Sequence, residues 1–479
     1  MIGGVVIAAP GSGSGKTMVA TGLLGALRAA GHTPAPFKVG PDFIDPGYHA
    51  LAAGRPGRNL DPVLVGDDLI GPLYRHGTLG ADIAVVEGVM GLFDGRIPLD
   101  VDDPASARPR AAGSTAEVAV ALGLPVVLVI DARGMSQSLA ALITGFVAYD
   151  PRIRIGGVIL NRVGSPRHEQ VLRAACVQAG VDVLGVIPRM PAVDVPERHL
   201  GLLTARENSG AKSAVAAMAS IVAEHVDLDR MVAVARAARP LAGEIWDPAA
   251  AVGGSASIAA DRPITVAMAG GPAFSFGYAE HVELLTAAGA RVVDFDPRHD
   301  RLPAGAGALI IPGGFPEVHA EALADNVALH DDVRRFAEAG GVIHAECAGL
   351  LYLGRTLDDR PMAGVLPTRA RFGPRLTLGY RDAVATSDSV LYRVGERVTG
   401  HEFHRTTVAA DTPITTPAWA WRTGAGAATE GIVAGVGAAG GVHASYLHVH
   451  PAGGPQVIAR LVAAARLARR TPEDAPGRG

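Results

Sequence analysis

Cysteine is almost missing from this chain: only Cys176 and Cys347 occur in 479 residues, which excludes a disulfide framework and any paired-cysteine metal site. Lysine is nearly as scarce. Of the 43 lysines and arginines only Lys16, Lys38 and Lys212 are lysines, so arginine carries almost all the positive charge. The forked guanidinium cannot replace a compact ammonium close to a phosphate, so the two lysines near the first glycine-rich segment stand out as functional. Excess positive charge is missing too. A net charge of -4 with arginines dispersed among acids gives no basic field, and nucleic acid is not an expected partner. No apolar run reaches the roughly 20 residues that cross a bilayer. The opening MIGGVVIAAPGSGSGKT has no basic leader and reads as a strand entering a loop rather than a signal peptide. A soluble, cytoplasmic protein is expected.

What is present is enough chain for two cores of roughly 200 residues each. Apolar β-branched runs at Val5 to Ala9, Ala84 to Glu87, Val126 to Asp131, Gly157 to Asn161 and Val183 to Ile187 alternate with amphipathic stretches at Lys16 to Ala30, Ser136 to Ala148 and Pro166 to Ala179. Apolar strands alternating with helices predict a doubly wound parallel sheet, hence an α/β domain over residues 1–240. The Ala, Gly, Ser and Pro-rich stretch 241–263 reads as a linker. A second α/β series fills 264–465, with strands at Ile264 to Ala269, Arg291 to Phe295, Ala308 to Ile311 and Gly341 to His344, and a helix from Tyr278 to Ala288. Residues 466–479 form a polar tail, frayed from Arg469.

AAPGSGSGKT lies between the first strand and the first helix, where backbone amides and a helix amino terminus can wrap a polyphosphate. Gly13, Ser14 and Gly15 would line this phosphate loop, Lys16 would reach the phosphates and the Thr17 hydroxyl would bind Mg²⁺. The loop departs from the regular pattern, because Pro10 stands where its first glycine belongs. Downstream, KVGPDFIDPGYH and VVEGVMGLFDG place Asp42, Asp45, Glu87 and Asp94 just past strand ends, where open parallel sheets bind ligands. Thr17, Asp42 and Glu87 are the expected Mg²⁺ ligands.

These segments, with VILNRVGSPRH, resemble the amino-terminal domain of the cobyrinic and hydrogenobyrinic acid a,c-diamide synthases, itself similar to dethiobiotin synthetase. The resemblance implies that Asn161 contacts adenine. It also puts Lys38 and the carboxylates beside the transferred phosphoryl group and the substrate.

In the second half, GGVIHAECAGLLYLG brings a short strand to a helix at Cys347. A thiol on such a turn is expected to be exposed and lowered in pKa by the helix amino terminus. Cys176, inside an amphipathic helix, reads as core. Hydrolysing an amide through a cysteine needs a base and an oxyanion hole. His448 in HASYLHVHP is the preferred base, and the amides of Gly314, Phe315 and Ala348 are the expected hole, with Gly313 beside them. A metal held by His443, His448 and His450 is a competing reading.

PGGFPE, AECAGLLYL, GHEFHRT and SYLHVH resemble the class I, or triad, glutamine amidotransferases in the form fused to cobyrinate-type synthetases. That family usually carries His-x-Glu after the base, but the second position here is His450. A Cys347/His448 dyad with an unassigned orienting group is therefore expected.

Together the halves predict a carbon–nitrogen ligase. Ammonia released at Cys347 would reach, through an interdomain passage, a carboxylate activated by ATP as an acyl phosphate, with Mg²⁺ supporting the transfer. The resemblance implies the a and c carboxylates of a corrin in cobalamin biosynthesis, hydrogenobyrinate ahead of cobyrinate. Cobyric acid synthases and nickel-sirohydrochlorin a,c-diamide synthases are the related alternatives. Outside that class stand a nucleotide-switch ATPase, which has no use for Cys347 and His448, and a plain glutaminase, which needs no ATP. A homodimer is compatible with the sequence but not specified by it.

Overall fold

The computed structural model describes residues 2–96, 111–190, 197–198, 201–202, 204–205, 210–254, 263–424, 426–435 and 440–468. Residues 255–262 of the expected linker and 469–479 of the expected tail lie outside these. The chain divides into two units, Met1–Trp246 and Asp247–Gly479.

The first unit is built on strands β1 (Gly3–Ala8), β2 (Pro34–Val39), β3 (Arg58–Leu60), β4 (Ile83–Glu87), β5 (Val126–Asp131), β6 (Ile155–Val163) and β7 (Val183–Pro188). All pair in parallel in the order β3-β2-β4-β1-β5-β6-β7. Every residue of β1, β2 and β4 is buried, as a sheet covered on both faces requires. Because β1 sits between β4 and β5, successive crossovers leave the centre in both directions. The carboxyl ends of β1, β2 and β4 therefore open into a common crevice. A two-residue ladder, β8 (Glu197–Arg198) with β9 (Gly201–Leu202), follows. At the start of the expected linker, Trp246 is buried, its amide bonded to the Pro72 carbonyl and its ring edge-on to His76.

The second unit holds a sheet of β10 (Ile264–Ala269), β11 (Ala290–Phe295), β12 (Ala306–Ile311) and β13 (Val342–Glu346), joined late by β20 (Ile432–Ala434) and β21 (Gly441–Ser445). Its order is β11-β10-β12-β13-β21-β20, parallel except where β20 meets β21. The remainder is a second sheet of β14 (Thr356–Leu357), β15 (Arg360–Pro361), β16 (Thr368–Ala385), β17 (Arg397–Ala410), β18 (Trp419–Thr423) and β19 (Gly426–Glu430), antiparallel except where β14 meets β16. The sequence does not announce its main hairpin, β16 with β17. Gly373 and Pro374 read as breakers, and the structure absorbs them in a register shift between Phe372 and Thr377, the place where a bulge tolerates proline. Among the described residues no helix is long and apolar enough to cross a membrane.

Candidate functional site

Each unit gathers functional side chains at the carboxyl ends of its central strands. In the first, the chain leaves β1 into the glycine-rich loop and enters the helix Lys16–Ala29, whose amino end has no side-chain cap. Its first-turn amides are left for a ligand. Gly15 has φ 93°, and a Cβ there would stand 2.3 Å from Asn161 Nδ2; only glycine fits both demands. Asn161, expected from the resemblance to contact adenine, is buried and donates from Nδ2 to the Ser14 carbonyl at 2.9 Å. It thus grips the phosphate loop. Arg162, at φ 60°, adds a second grip, its Nη1 reaching the Gly13 carbonyl at 2.8 Å and Asp131 at 2.6 Å.

Lys16 Nζ donates to the Met90 carbonyl at 2.6 Å and to that of Gly11 at 3.3 Å. Burial and then the nearby Lys38 ammonium hold its pKa below the ordinary lysine value. Lys38, from the end of β2, is enclosed by acids: Asp45 at 2.6 Å, Glu87 at 2.9 Å and Asp42 at 3.9 Å. Burial alone would weaken this ammonium, but Asp45 and Glu87 outweigh it and keep it protonated. Glu87 answers from the end of β4. Burial would raise its carboxyl, yet Lys38 and His49 hold it well below the usual range. Asp45 is pushed up to about 7 by burial and by Asp42, against the pull of Lys38. Thr17 Oγ1 donates to Glu87 at 2.7 Å and lies 3.3 Å from Asp45.

Two expected acids are engaged by backbone amides. Asp42 Oδ1 accepts the amides of Ile44 and Asp45, a turn that starts the helix Asp45–Ala53, and Asp94 is exposed and accepts the Gly91 amide. Of the expected trio of Thr17, Asp42 and Glu87, Thr17 and Glu87 are in contact, and the second acid at Thr17 Oγ1 is Asp45. Sequence reasoning also passed over His49, although it closes the motif KVGPDFIDPGYH.

In the second unit β12, β13 and β21 are neighbours, and the residues just beyond their ends are Gly313 to Phe315, Cys347 and His448. Cys347 turns the chain with φ 48° and ψ -99°, a strained strand-to-helix turn of the kind on which nucleophiles can be presented. Its amide donates to the Ser445 carbonyl at 2.7 Å. The expectation of an exposed, acidified thiol is corrected. Cys347 is 3% exposed, and burial, then the Glu317 carboxylate, push the thiol up against the opposing Ala348 amide. The helix it caps, Ala348–Leu353, has only six residues, too little dipole to offset desolvation. To act as a nucleophile, a thiol so placed would need a base. Cys176 is buried as expected.

His448 is fully buried, and its backbone pairs with that of His401 in both directions, at 2.8 and 2.9 Å. A Cβ on Gly313 would come within 2.3 Å of His448 Cε1, and one on Gly314 within 2.1 Å of the Ala273 carbonyl. Gly313 lets the PGGF loop close against the imidazole, and Gly314 lets it close against the backbone at Ala273. His443 goes elsewhere, into a cage of Tyr392, Trp419 and His344. His450 sits on Tyr278, 4.0 Å from Glu280. The competing histidine–metal reading is thereby corrected, and no metal-holding group of three or more His, Cys, Asp or Glu occurs among the described residues. Glu346, directly before Cys347, lies 3.7 Å from His448 Nδ1. Sequence reasoning looked for an acid after the histidine and missed this one.

Residues 5–203 match the model of the CobQ/CobB/MinD/ParA nucleotide binding domain, and residues 265–455 that of the CobB/CobQ-like glutamine amidotransferase domain. Hydrogenobyrinate a,c-diamide synthase of Mycobacterium tuberculosis is 59% identical over 466 residues, spanning 96% of this chain and 98% of its own. The Streptomyces coelicolor enzyme of the same name is 51% identical, over 96% of each chain. Cobyrinate a,c-diamide synthase of Salmonella typhimurium is 38% identical, over 96% of this chain and 98% of its own. Both halves of the chain thus match the two domains of these enzymes over nearly their whole length, and the chain belongs to the family of hydrogenobyrinate and cobyrinate a,c-diamide synthases.

Proposed function

We propose that this chain uses ATP and glutamine to convert the a and c carboxylates of a corrin into carboxamides, with hydrogenobyrinate as the ring. The observation that carries the reaction type is the presence in one chain of the Lys16/Lys38/Glu87 cluster and the Cys347/His448 elbow. Neither a nucleotide switch nor a simple glutaminase has use for both. The choice of ring follows the higher identity to the hydrogenobyrinate enzymes, 59% and 51% against 38% for the cobyrinate enzyme.

In the first unit a carboxylate of the ring attacks the terminal phosphorus of ATP, making an acyl phosphate and ADP. A carboxylate has no good leaving group until then. Lys16 neutralises charge on the phosphates, while the loop amides hold them in line. Lys38, locked between Asp45 and Glu87, keeps a full positive charge beside the reacting oxygens. The hard oxygens of Thr17, Asp45 and Glu87 suit Mg²⁺ and would hold it together with substrate phosphates, where it would neutralise the transferring group. Ammonia then displaces phosphate.

In the second unit His448 takes the proton of Cys347, the sulfur attacks the glutamine side-chain amide, and the tetrahedral oxyanion meets amides of Gly314, Phe315 and Ala348. His448 returns the proton to the leaving nitrogen, ammonia departs, and water hydrolyses the thioester to glutamate.

The test is incubation with glutamine, ATP, Mg²⁺ and either metal-free or cobalt-containing corrin, read by mass spectrometry. Two successive losses, each matching replacement of a hydroxyl by an amino group, are expected, faster on the metal-free ring. An unchanged mass with both rings would sink the proposal, and a faster reaction on the cobalt ring would transfer it to cobyrinate. In parallel, Cys347→Ser is expected to stop glutamine-dependent amidation while ammonia still serves.

A further inference from the structure

Glu346 is left unused by the proposed chemistry of the Cys347/His448 pair, yet its surroundings are not those of an ordinary buried acid. It ends β13, where alternate residues share a face. Ile343 and Ala345 face the apolar core, while His344 and Glu346 point the other way. One carboxylate oxygen lies 3.7 Å from His448 Nδ1 and the other 3.5 Å from His344 Nε2. His281, from the helix Ala279–Ala287, and Tyr392, from the loop before β17, also face it.

Burial should raise such a carboxyl, but the contact with His448, followed at acid pH, where the imidazoles are charged, by the fields of His344 and His281, holds it below the ordinary range. It is ionised. His344 and His281 are themselves kept below their usual pKa by burial, His281 at about 4, and so stay neutral near pH 7. The charge on Glu346 therefore has most to gain from an imidazole that becomes cationic during reaction. His448 is that imidazole where Cys347 and His448 act as nucleophile and base, the reading on which a role for Glu346 rests.

We infer that Glu346 is the orienting acid of a Cys347–His448–Glu346 triad, supplied by the residue before the nucleophile instead of the second residue after the base. The position after the base is occupied by His450, which is turned towards Tyr278 and Glu280. Glu346 fixes the proton on His448 Nδ1 and leaves Nε2 to work on the thiol. When the sulfur proton moves to Nε2, the imidazolium forms against a carboxylate that keeps its charge throughout. The proton then leaves with the amide nitrogen as the carbon–nitrogen bond breaks, and Glu346 neither gains nor loses one. A separation of 3.7 Å is the loose form such contacts take before substrate tightens them.

Glu346→Gln and Glu346→Asp in the full chain test this through glutamate release, with kcat and KM measured separately, and through the pH dependence of Cys347 alkylation by iodoacetamide. The glutamine variant is expected to lose on the order of 10²- to 10⁴-fold in kcat with little change in KM, and its alkylation midpoint should rise. The aspartate variant keeps the charge but withdraws it by one methylene, so a loss of about tenfold is expected. Wild-type kcat and an unmoved alkylation midpoint in the glutamine variant overturn the inference. If that variant does not fold, wild-type kcat in the aspartate variant overturns it equally. Cys347→Ser, run alongside, separates the two levels: if it still releases glutamate, the reading of the elbow fails, and if it is dead while the Glu346 variants are normal, only the orienting role fails.

Discussion

His49 Nε2 stands 2.7 Å from Glu87 Oε2, and both side chains are 1% exposed. The other oxygen of Glu87 takes Lys38 and Thr17, so the imidazole fixes which way the carboxylate plane faces. His49→Leu would leave a buried charged oxygen without its partner, at a cost of about 1–3 kcal/mol or more. Amidation measured with ammonia as nitrogen source should fall by roughly 10- to 100-fold, and His49→Gln should recover part of it. Normal ammonia-dependent rates in the leucine variant would mean that Glu87 needs no such support.

Lys16 invites a substitution that preserves charge. Its ammonium is buried, 2.6 Å from the Met90 carbonyl, and a planar guanidinium has neither the room nor the compact charge to replace it. Lys16→Arg should be nearly as inactive as Lys16→Ala with glutamine and with ammonia alike. An arginine variant at half the wild-type rate would contradict the close approach.

Gly15→Ala tests the grip of Asn161 on the loop. The added methyl would meet Asn161 Nδ2 at 2.3 Å, at a φ of 93° that disfavours alanine by roughly 1–2 kcal/mol. A raised KM for ATP, with glutamate release still measurable, is expected from steady-state assays. Combining it with Asn161→Ala should relieve the clash but not the strain, so only partial recovery is anticipated.

The buried histidines of the second unit set a pH dependence. His281, His401 and His443 are lowered to about 4, 3 and 3 by burial, whereas in the unfolded chain each titrates near 6.5. Between those values the unfolded chain binds more protons. The stability they contribute is therefore complete above pH 6.5 and is lost as pH falls towards 4. Each loses about 2 kcal/mol by pH 5. Glu430 and Asp45, each pushed up to about 7 by burial, work in the opposite sense over the same window, while His330 and His344, also lowered by burial, add to the side of the three histidines. Denaturant melts from pH 7 to pH 5 should show falling stability, and His443→Phe should flatten the slope. Identical slopes in the two proteins would remove His443 from the account.

How much of the molecule was legible in its sequence depended on whether the signal was local. Val126–Asp131 and Ile264–Ala269 are strands over the very residues expected, because an apolar β-branched run identifies a buried strand by itself. Lys16, Thr17 and Cys347 could be singled out because loop, helix start and elbow lie within a few consecutive residues. The partners of those residues were harder to see. His49 and Glu87 are 38 positions apart and meet only because β2 and β4 are adjacent. Asp45, not Asp42, reaches Thr17 because a turn at Asp42 diverts its carboxylate onto backbone amides. The state of the Cys347 thiol depends on burial by the whole second unit, which no short motif encodes.

The elbow at Cys347 sets catalysis against stability. A side chain held at φ 48° costs of order 1–3 kcal/mol unless the residue is glycine. Cys347→Gly should relax that backbone and offset part of the loss of the buried side chain, while ending glutamine hydrolysis. Selection for heat resistance alone would favour discarding the thiol, so under the role proposed for Cys347 its presence marks a position where the chain accepts a weaker fold in exchange for a nucleophile.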